Sequence, residues 1–422
     1  MTAPHTTHSS VTSETRRTAH TRRTRAAVLV ALTTLGLGAS LGAMPATAAT
    51  STATTAAAAD TGSARYVYDV ANLRTTDPQA AAELKALLAK LPANWRQRQA
   101  AQLAKAGIHE SPMQAAVVRY LKGETCSPTE LDAYVNRLLS GIPMPRLFVL
   151  AILGTFSYPT FDALVFGSKD DPRYALTPGT VGKVRGTMAV ARDFWDVTSG
   201  DIDVLAMRSD MVIDQPRVAR LIRFIFGTTP AQANGIAAEL IWLIKDTIQL
   251  RDGGNPIFSL NAFAFTGEGD VEPFDSISDR IVMGEGMIKA LRDTGDIEVG
   301  PQMVLSHEFG HHIQFENDAY SGPINAANTR KMELMADAYA TYLDAHRRGL
   351  NFQAERINAA VEVAHLIGDC AVDDPGHHGT PQQRARAAAW GAALAKKSGN
   401  TILPSTKVES LFLAALPGIL AG

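Results

Sequence analysis

The segment His307-Glu308-Phe309-Gly310-His311 constrains this chain more than any other stretch of its 422 residues. Two histidines four apart lie on one face of a helix, about 6 Å apart along its axis. Both imidazoles can then reach one zinc ion at about 2.0–2.1 Å. Glu308 stands beside them, placed to act on a water without ligating the metal itself. Residues 301–317 fit a helix, with Val304, His307, His311 and Gln314 on one stripe. The bland alternative is a surface helix with two solvated imidazoles, so the surrounding sequence has to decide.

Two histidines leave a zinc ion half coordinated. A metzincin pattern would need Gly at 314 and His at 317; Gln314 and Asn317 stand there instead. Glu333 lies 22 residues after His311, in a second helical stretch over 331–343. The segment Tyr320-Ser321-Gly322-Pro323 reads as the turn between them. A helix–loop–helix of this size can bring Glu333 back against the histidine pair. Asp337 follows one turn later on the same face, where it can accept the second N–H of a ligand histidine and fix its tautomer. A solvated helix face is the alternative for both acids. The neighbours Leu334, Met335, Ala336 and Ala338 argue instead for burial, and a buried carboxylate needs a partner.

Five blocks, in order, carry a family likeness: Asn261-Ala262-Phe263-Ala264-Phe265, Ile281-Val282-Met283-Gly284-Glu285-Gly286, His307-Glu308-Phe309-Gly310-His311-His312-Ile313-Gln314, Glu333-Leu334-Met335-Ala336-Asp337-Ala338-Tyr339-Ala340 and His378-Gly379-Thr380-Pro381-Gln382-Gln383-Arg384. Through them the chain resembles the gluzincin metallopeptidases, which pair H-E-x-x-H with a downstream Glu in an E-x-x-x-D helix. It is most similar to the bacterial neutral zinc metallopeptidases, with some likeness to the CAAX-prenyl and heat-shock-type endopeptidases. The likeness covers about residues 255–390 and not the region before about 175. The multiple membrane spans of the CAAX-type enzymes are missing from this sequence.

The resemblance implies that His307, His311 and Glu333 hold one zinc ion, with Glu308 as general base and Asp337 as partner to a ligand histidine. It implies a transition-state donor at His378, with His377 as a competitor for that role and Arg384 as a structural residue. A solvated loop after Asp373-Asp374-Pro375-Gly376 is the alternative for either histidine. His312 sits about 100° round the helix from His311 and points away from the metal. Three protein ligands leave one zinc position for water. Glu308 takes a proton as the water attacks a peptide carbonyl and passes it to the leaving amine. The strand expected over 280–283, ending in Gly284-Glu285-Gly286, can serve as an edge for an extended peptide or as an internal strand with a tight glycine turn. The expected activity is that of a zinc-dependent endopeptidase acting on peptides or proteins. The competing reading is a metal-holding scaffold or adhesion protein without catalysis; the presence of Glu308 favours the enzyme.

The rest of the chain sets the context. Residues 1–49 combine five arginines, an uncharged apolar stretch from Ala26 and the small-residue exit Met44-Pro45-Ala46-Thr47-Ala48-Ala49, the pattern of an export signal, with an uncleaved anchor as the alternative. Its removal takes away five arginines and Glu14, moving the net charge from −2 to −6. No basic bias points to nucleic acid. Residues 50–64 read as a flexible linker, 65–175 as a helical domain and 176–422 as the metallopeptidase-like domain. No further membrane span is expected, since the apolar run from Leu147 to Gly154 is too short. Helix periodicity marks the N-terminal half, with a start at Ser127-Pro128-Thr129-Glu130 and Ser127 as its cap. Strands are expected over 202–207, 257–265 and 280–283, and a long helical region over 215–250 breaks at Gly227-Thr228-Thr229-Pro230. The acidic run Glu268-Gly269-Asp270-Val271-Glu272 lacks the spacing of a calcium loop and reads as solvated. Cys126 and Cys370 can form one bridge in an oxidising compartment or stay as buried thiols. The fold class is α+β and mainly helical: a helical N-terminal region, then a zincin-like domain with a small sheet, an H-E-x-x-H helix and a second helix bearing Glu333.

Overall fold

The structure is a computed structural model, and it describes residues 30–32, 78–105, 112–123, 129–267, 274–295, 298–320 and 325–421. The export signal apart from 30–32, the linker, Ser127, Cys126, most of the turn after Tyr320 and the acidic run lie outside the described residues.

Six helices come first: α1 (Pro78–Leu88), α2 (Trp95–Lys105), α3 (Pro112–Lys122), α4 (Glu130–Ser140), α5 (Met144–Ile152) and α6 (Tyr158–Phe166). After α7 (Pro178–Phe194) and strand β2 (Asp203–Met207) come α8 (Gln215–Phe226) and α9 (Pro230–Asp246). Strands β3 (Ala262–Phe265) and β4 (Arg280–Gly284) lead into α10 (Glu285–Gly295), α11 (Gly300–Glu316), α12 (Ala326–Ala345), α13 (Ala354–Leu366), α14 (Pro381–Ser398) and α15 (Ser405–Ala421). A three-residue strand, β1 (Val30–Leu32), pairs with β3. The protein is mainly helical with a small mixed sheet, as the pattern of the sequence led us to expect.

Local chemistry sets the helix ends. Thr229 and Gln232 close a capping box at α9, with Pro230 in the first turn, and Gly227 ends α8 in the left-handed region at φ 64°. The expected break between those helices is where it was read. The start of α4 is not. Thr129 is the cap and Asp132 completes its box, because Asp132, three residues on, returns its carboxylate to the Thr129 N–H. Of the strand expected over 257–265, only Ala262–Phe265 pairs. Pro256 lacks an N–H for a ladder, and Asn255 Oδ1 accepts from the Ile257 N–H at 3.0 Å, holding 256–259 in a 3-10 turn.

The sheet order is β1-β3-β4-β2, with β2 parallel to β4 and β3 antiparallel to it. Strand β4 therefore has both sides paired, which corrects the edge reading: no peptide can add to it. It is buried throughout, and a side chain at Gly284 would collide with the carbonyls of Ser259 and Asn261. The internal strand is what forms, and it runs straight from Gly284 into the helix that starts at Glu285, with no turn between. The buried Arg280 guanidinium donates to the carbonyl of Leu164 at 2.7 Å and ties the sheet to the end of α6.

Most buried apolar side chains form one continuous cluster from Leu84 to Ile419, with Ala264 and Phe315 forming a small second one. Tyr134 of α4 donates to Asp293 of α10 at 3.0 Å, so the early helices also hold the later ones by polar contacts. No single described helix is long and apolar enough to cross a membrane.

Candidate metal centre

Helix α11 carries His307, Glu308 and His311, and α12 carries Glu333 and Asp337; all five side chains are fully buried. The helices approach closely because Gly310 faces Ala336: a Cβ at Gly310 would come 3.1 Å from the Ala336 Cα. That crossing lets Glu333 reach back over the histidine pair.

The His307 and His311 Nε2 atoms lie 3.0 Å apart. Glu333 completes the cluster, with Oε2 3.3 Å from His307 Nε2 and Oε1 3.5 Å from His311 Nε2. These three residues offer ligand atoms all within 4.8 Å of one another, a group that can hold a metal ion. The opposite ring nitrogens explain why. His307 Nδ1 is 2.8 Å from Asp337 Oδ1, which accepts its proton. Gln314 donates its amide to the Met332 carbonyl at 2.7 Å, so its Oε1 is turned toward His311 Nδ1 at 2.9 Å. With both Nδ1 atoms acting as donors, both Nε2 atoms present bare lone pairs to each other and to a carboxylate. A cation between the three groups would relieve that juxtaposition.

Electrostatics follow the same geometry. Burial presses the His307 pKa down, but Asp337 and Glu333 outweigh it and carry it to about 9. Burial drives His311 down to about 3. Burial raises the Glu333 carboxyl, yet His378, His311 and His307 together hold it below its ordinary range. Burial pushes Glu308 well above its own. All four oxygens of Glu308 and Glu333 are buried without a hydrogen bond of good geometry, a rare condition that a bound ion would relieve at Glu333.

Of the histidine doublet, His378 is the one brought to the cluster. Its Nε2 lies 3.6 Å from Glu333 Oε1. His377 turns to Asp369 instead, Nδ1 to Oδ1 at 2.6 Å. His312 points to the sheet, its Nε2 3.2 Å from the Arg280 carbonyl. Arg384 is fully buried and grips both Asp337 oxygens, at 2.9 and 2.8 Å.

No protein-family model matches this chain, and no curated protein or solved structure matches it either.

Two residues of the site escaped the sequence reading. Tyr320 stands in the sequence only as part of a turn, yet its hydroxyl lies 3.0 Å from His311 Nδ1. Asp369 holds both members of the histidine doublet, by the His377 ring and by the His378 N–H at 2.8 Å. Its separation from any motif residue gave no signal. Only the general need of a loop histidine for a carboxylate partner could have pointed to it.

Proposed function

We propose that the protein is an exported zinc-dependent endopeptidase. One observation carries the reading: two imidazole lone pairs and a buried carboxylate converge on a single point, with a second carboxylate, Glu308, one residue along the helix and without a hydrogen bond of good geometry. Two nitrogens and one oxygen at such a point suit zinc. The resemblance to gluzincins over residues 255–390 and the paired helices against a small mixed sheet support a zincin-like domain. The export pattern of residues 1–49 supports a place outside the cytoplasm.

His307, His311 and Glu333 would hold the ion. When bound, zinc supplies Lewis acidity to the water and to the peptide carbonyl. Glu308 takes the proton of the attacking water; its burial favours the protonated carboxyl that must then hand that proton to the leaving amine. Burial holds His378 below its ordinary pKa, so it works as a neutral imidazole, donating from Nε2 to the carbonyl oxygen as charge develops. Asp337 and Gln314 keep the ligand rings in the tautomer that leaves Nε2 bare.

The test is zinc content and casein hydrolysis for the wild type and Glu308→Gln. One zinc per chain in both, with hydrolysis only in the wild type, is the expected result. Zinc in both and hydrolysis in neither would favour a metal-holding scaffold. No zinc in either would sink the site.

A further inference from the structure

His378 stands on the loop 367–380 between α13 and α14, and that loop hangs on one residue. Asp369 Oδ1 accepts from the His377 ring at 2.6 Å and from the Ala371 N–H at 2.8 Å. Its Oδ2 accepts from the His378 N–H at 2.8 Å, and its own N–H donates to the Gly379 carbonyl at 2.9 Å. Both ends of the loop are thus drawn together on Asp369, and Gly379 allows it by taking φ 107°.

The next residue is Cys370. It is exposed and disulfide-bonded, and the sequence contains one other cysteine, Cys126. Cys126 itself lies outside the described residues, three positions before Thr129. The hydroxyl of Thr129, the cap of α4, lies 3.0 Å from the Leu366 carbonyl, at the other end of the same stretch, and 2.8 Å from Asp132 Oδ2. The loop is therefore tied at two points, by the disulfide at Cys370 and by the contact between Leu366 and Thr129 at the start of α4. The metal ligands depend on neither, because they stand on α11 and α12.

We propose that the disulfide at Cys370 is a redox-sensitive brace. It holds Asp369, and through it His378, against Glu333. Reduction loosens the loop and slows turnover while the metal stays bound. The turnover part rests on the endopeptidase reading; the brace does not. Asp369 is a positioning residue here, since it touches His378 and not the reacting atoms. The consequence fits an exported protein: the enzyme is slow where thiols are kept reduced and reaches its full rate only where they oxidise.

The experiment uses the full chain, oxidised and then treated with a trialkylphosphine. That reductant transfers two electrons to the bridge and takes an oxygen from water to become the phosphine oxide, and the two water protons complete the two thiols. Cys126→Ser with Cys370→Ser provides the unbridged state without a reductant. Amide hydrogen exchange, bound zinc and kcat against KM are read together. Exchange should rise across 368–379 while 304–314 and 330–340 hold, with zinc still at one per chain. The value of kcat should fall about ten-fold, in the range typical for loss of a partner outside the ligand set, with KM nearly unchanged. Asp369→Asn should slow turnover similarly with the bridge intact, and the double serine variant should no longer respond to phosphine. Unchanged exchange in 368–379, or exchange raised evenly over the chain, would overturn the brace. Zinc lost on reduction would overturn it too. Absence of zinc and hydrolysis in the oxidised protein would remove the endopeptidase reading alone, and the exchange data would still decide the brace.

Discussion

Asp162 and Glu333 are both fully buried carboxylates, and their surroundings differ completely. Asp162 Oδ2 receives Arg217 Nε at 3.1 Å, Arg217 Nη2 at 2.5 Å and the Tyr174 hydroxyl at 2.8 Å; Oδ1 receives Arg220 at 3.0 Å. Every demand of that charge is met by the chain itself. Glu333 faces two histidine lone pairs, with Arg384 no nearer than 3.5 Å, and neither oxygen has a hydrogen bond of good geometry. A carboxylate saturated by protein donors holds a fold together, whereas one left bare beside other acceptors is kept for something that arrives. Burial is equal at the two places, so burial alone does not separate them; the inventory of donors does.

The sharpest way to break this comparison is to neutralise each carboxylate in turn. Glu333→Gln should weaken zinc binding by more than about 100-fold, beyond the cost of losing an outer partner, and leave thermal stability of the metal-free protein near wild type. Asp162→Asn should do the reverse. It strands the Arg217 guanidinium in the interior, at a cost of about 3–5 kcal/mol, while zinc stoichiometry stays at one per chain. Equilibrium dialysis and denaturant unfolding on both variants give the four numbers. Loss of zinc in the Asp162 variant under conditions where it is folded would erase the distinction.

Asp337 lies between the two kinds. It is satisfied like Asp162, by Arg384 on both oxygens, yet it also takes the His307 proton. Asp337→Asn should therefore show both effects in reduced form. Zinc affinity should drop about 10–100-fold through the freed His307 ring. The measurement is a competition titration against a chelator; an affinity equal to wild type would mean that α11 alone fixes the ring.

These contrasts also explain what could be read in the sequence. His307, Glu308, His311, Glu333 and Asp337 were legible because helix geometry converts fixed spacing into a shared face. The sheet position of β4 was not, since nothing in Arg280-Ile281-Val282-Met283 says which strands flank it. The cap at Thr129 was misread because Ser127 and Thr129 each have an acid within three residues, and only the structure shows which box closes. Asp369 was invisible because its bonds depend on how a loop folds back, not on a repeat.

The smallest effect concerns the same corner of the fold. Asp132 completes the α4 capping box, and Asp369 lies close enough for its charge to be felt. Burial raises the Asp132 carboxyl to about 7, with Asp369 adding and the Thr129 hydrogen bonds and Arg119 opposing. The folded pKa stands above the unfolded one, so the folded state prefers the protonated acid. The stability this gives is fully present below about pH 4 and is lost as the pH climbs toward 7. Its Oδ1 has no hydrogen bond to compensate the charge. Asp132→Asn keeps an acceptor for Thr129 and cannot ionise. The variant should match the wild type near pH 5 to within the cost of the swap and gain on it by about 1–2 kcal/mol at pH 8. Urea unfolding at the two pH values measures the difference. A gap that does not change with pH would show that Asp132 ionises in the fold as freely as in water, and that the charge of Asp369 does not reach it.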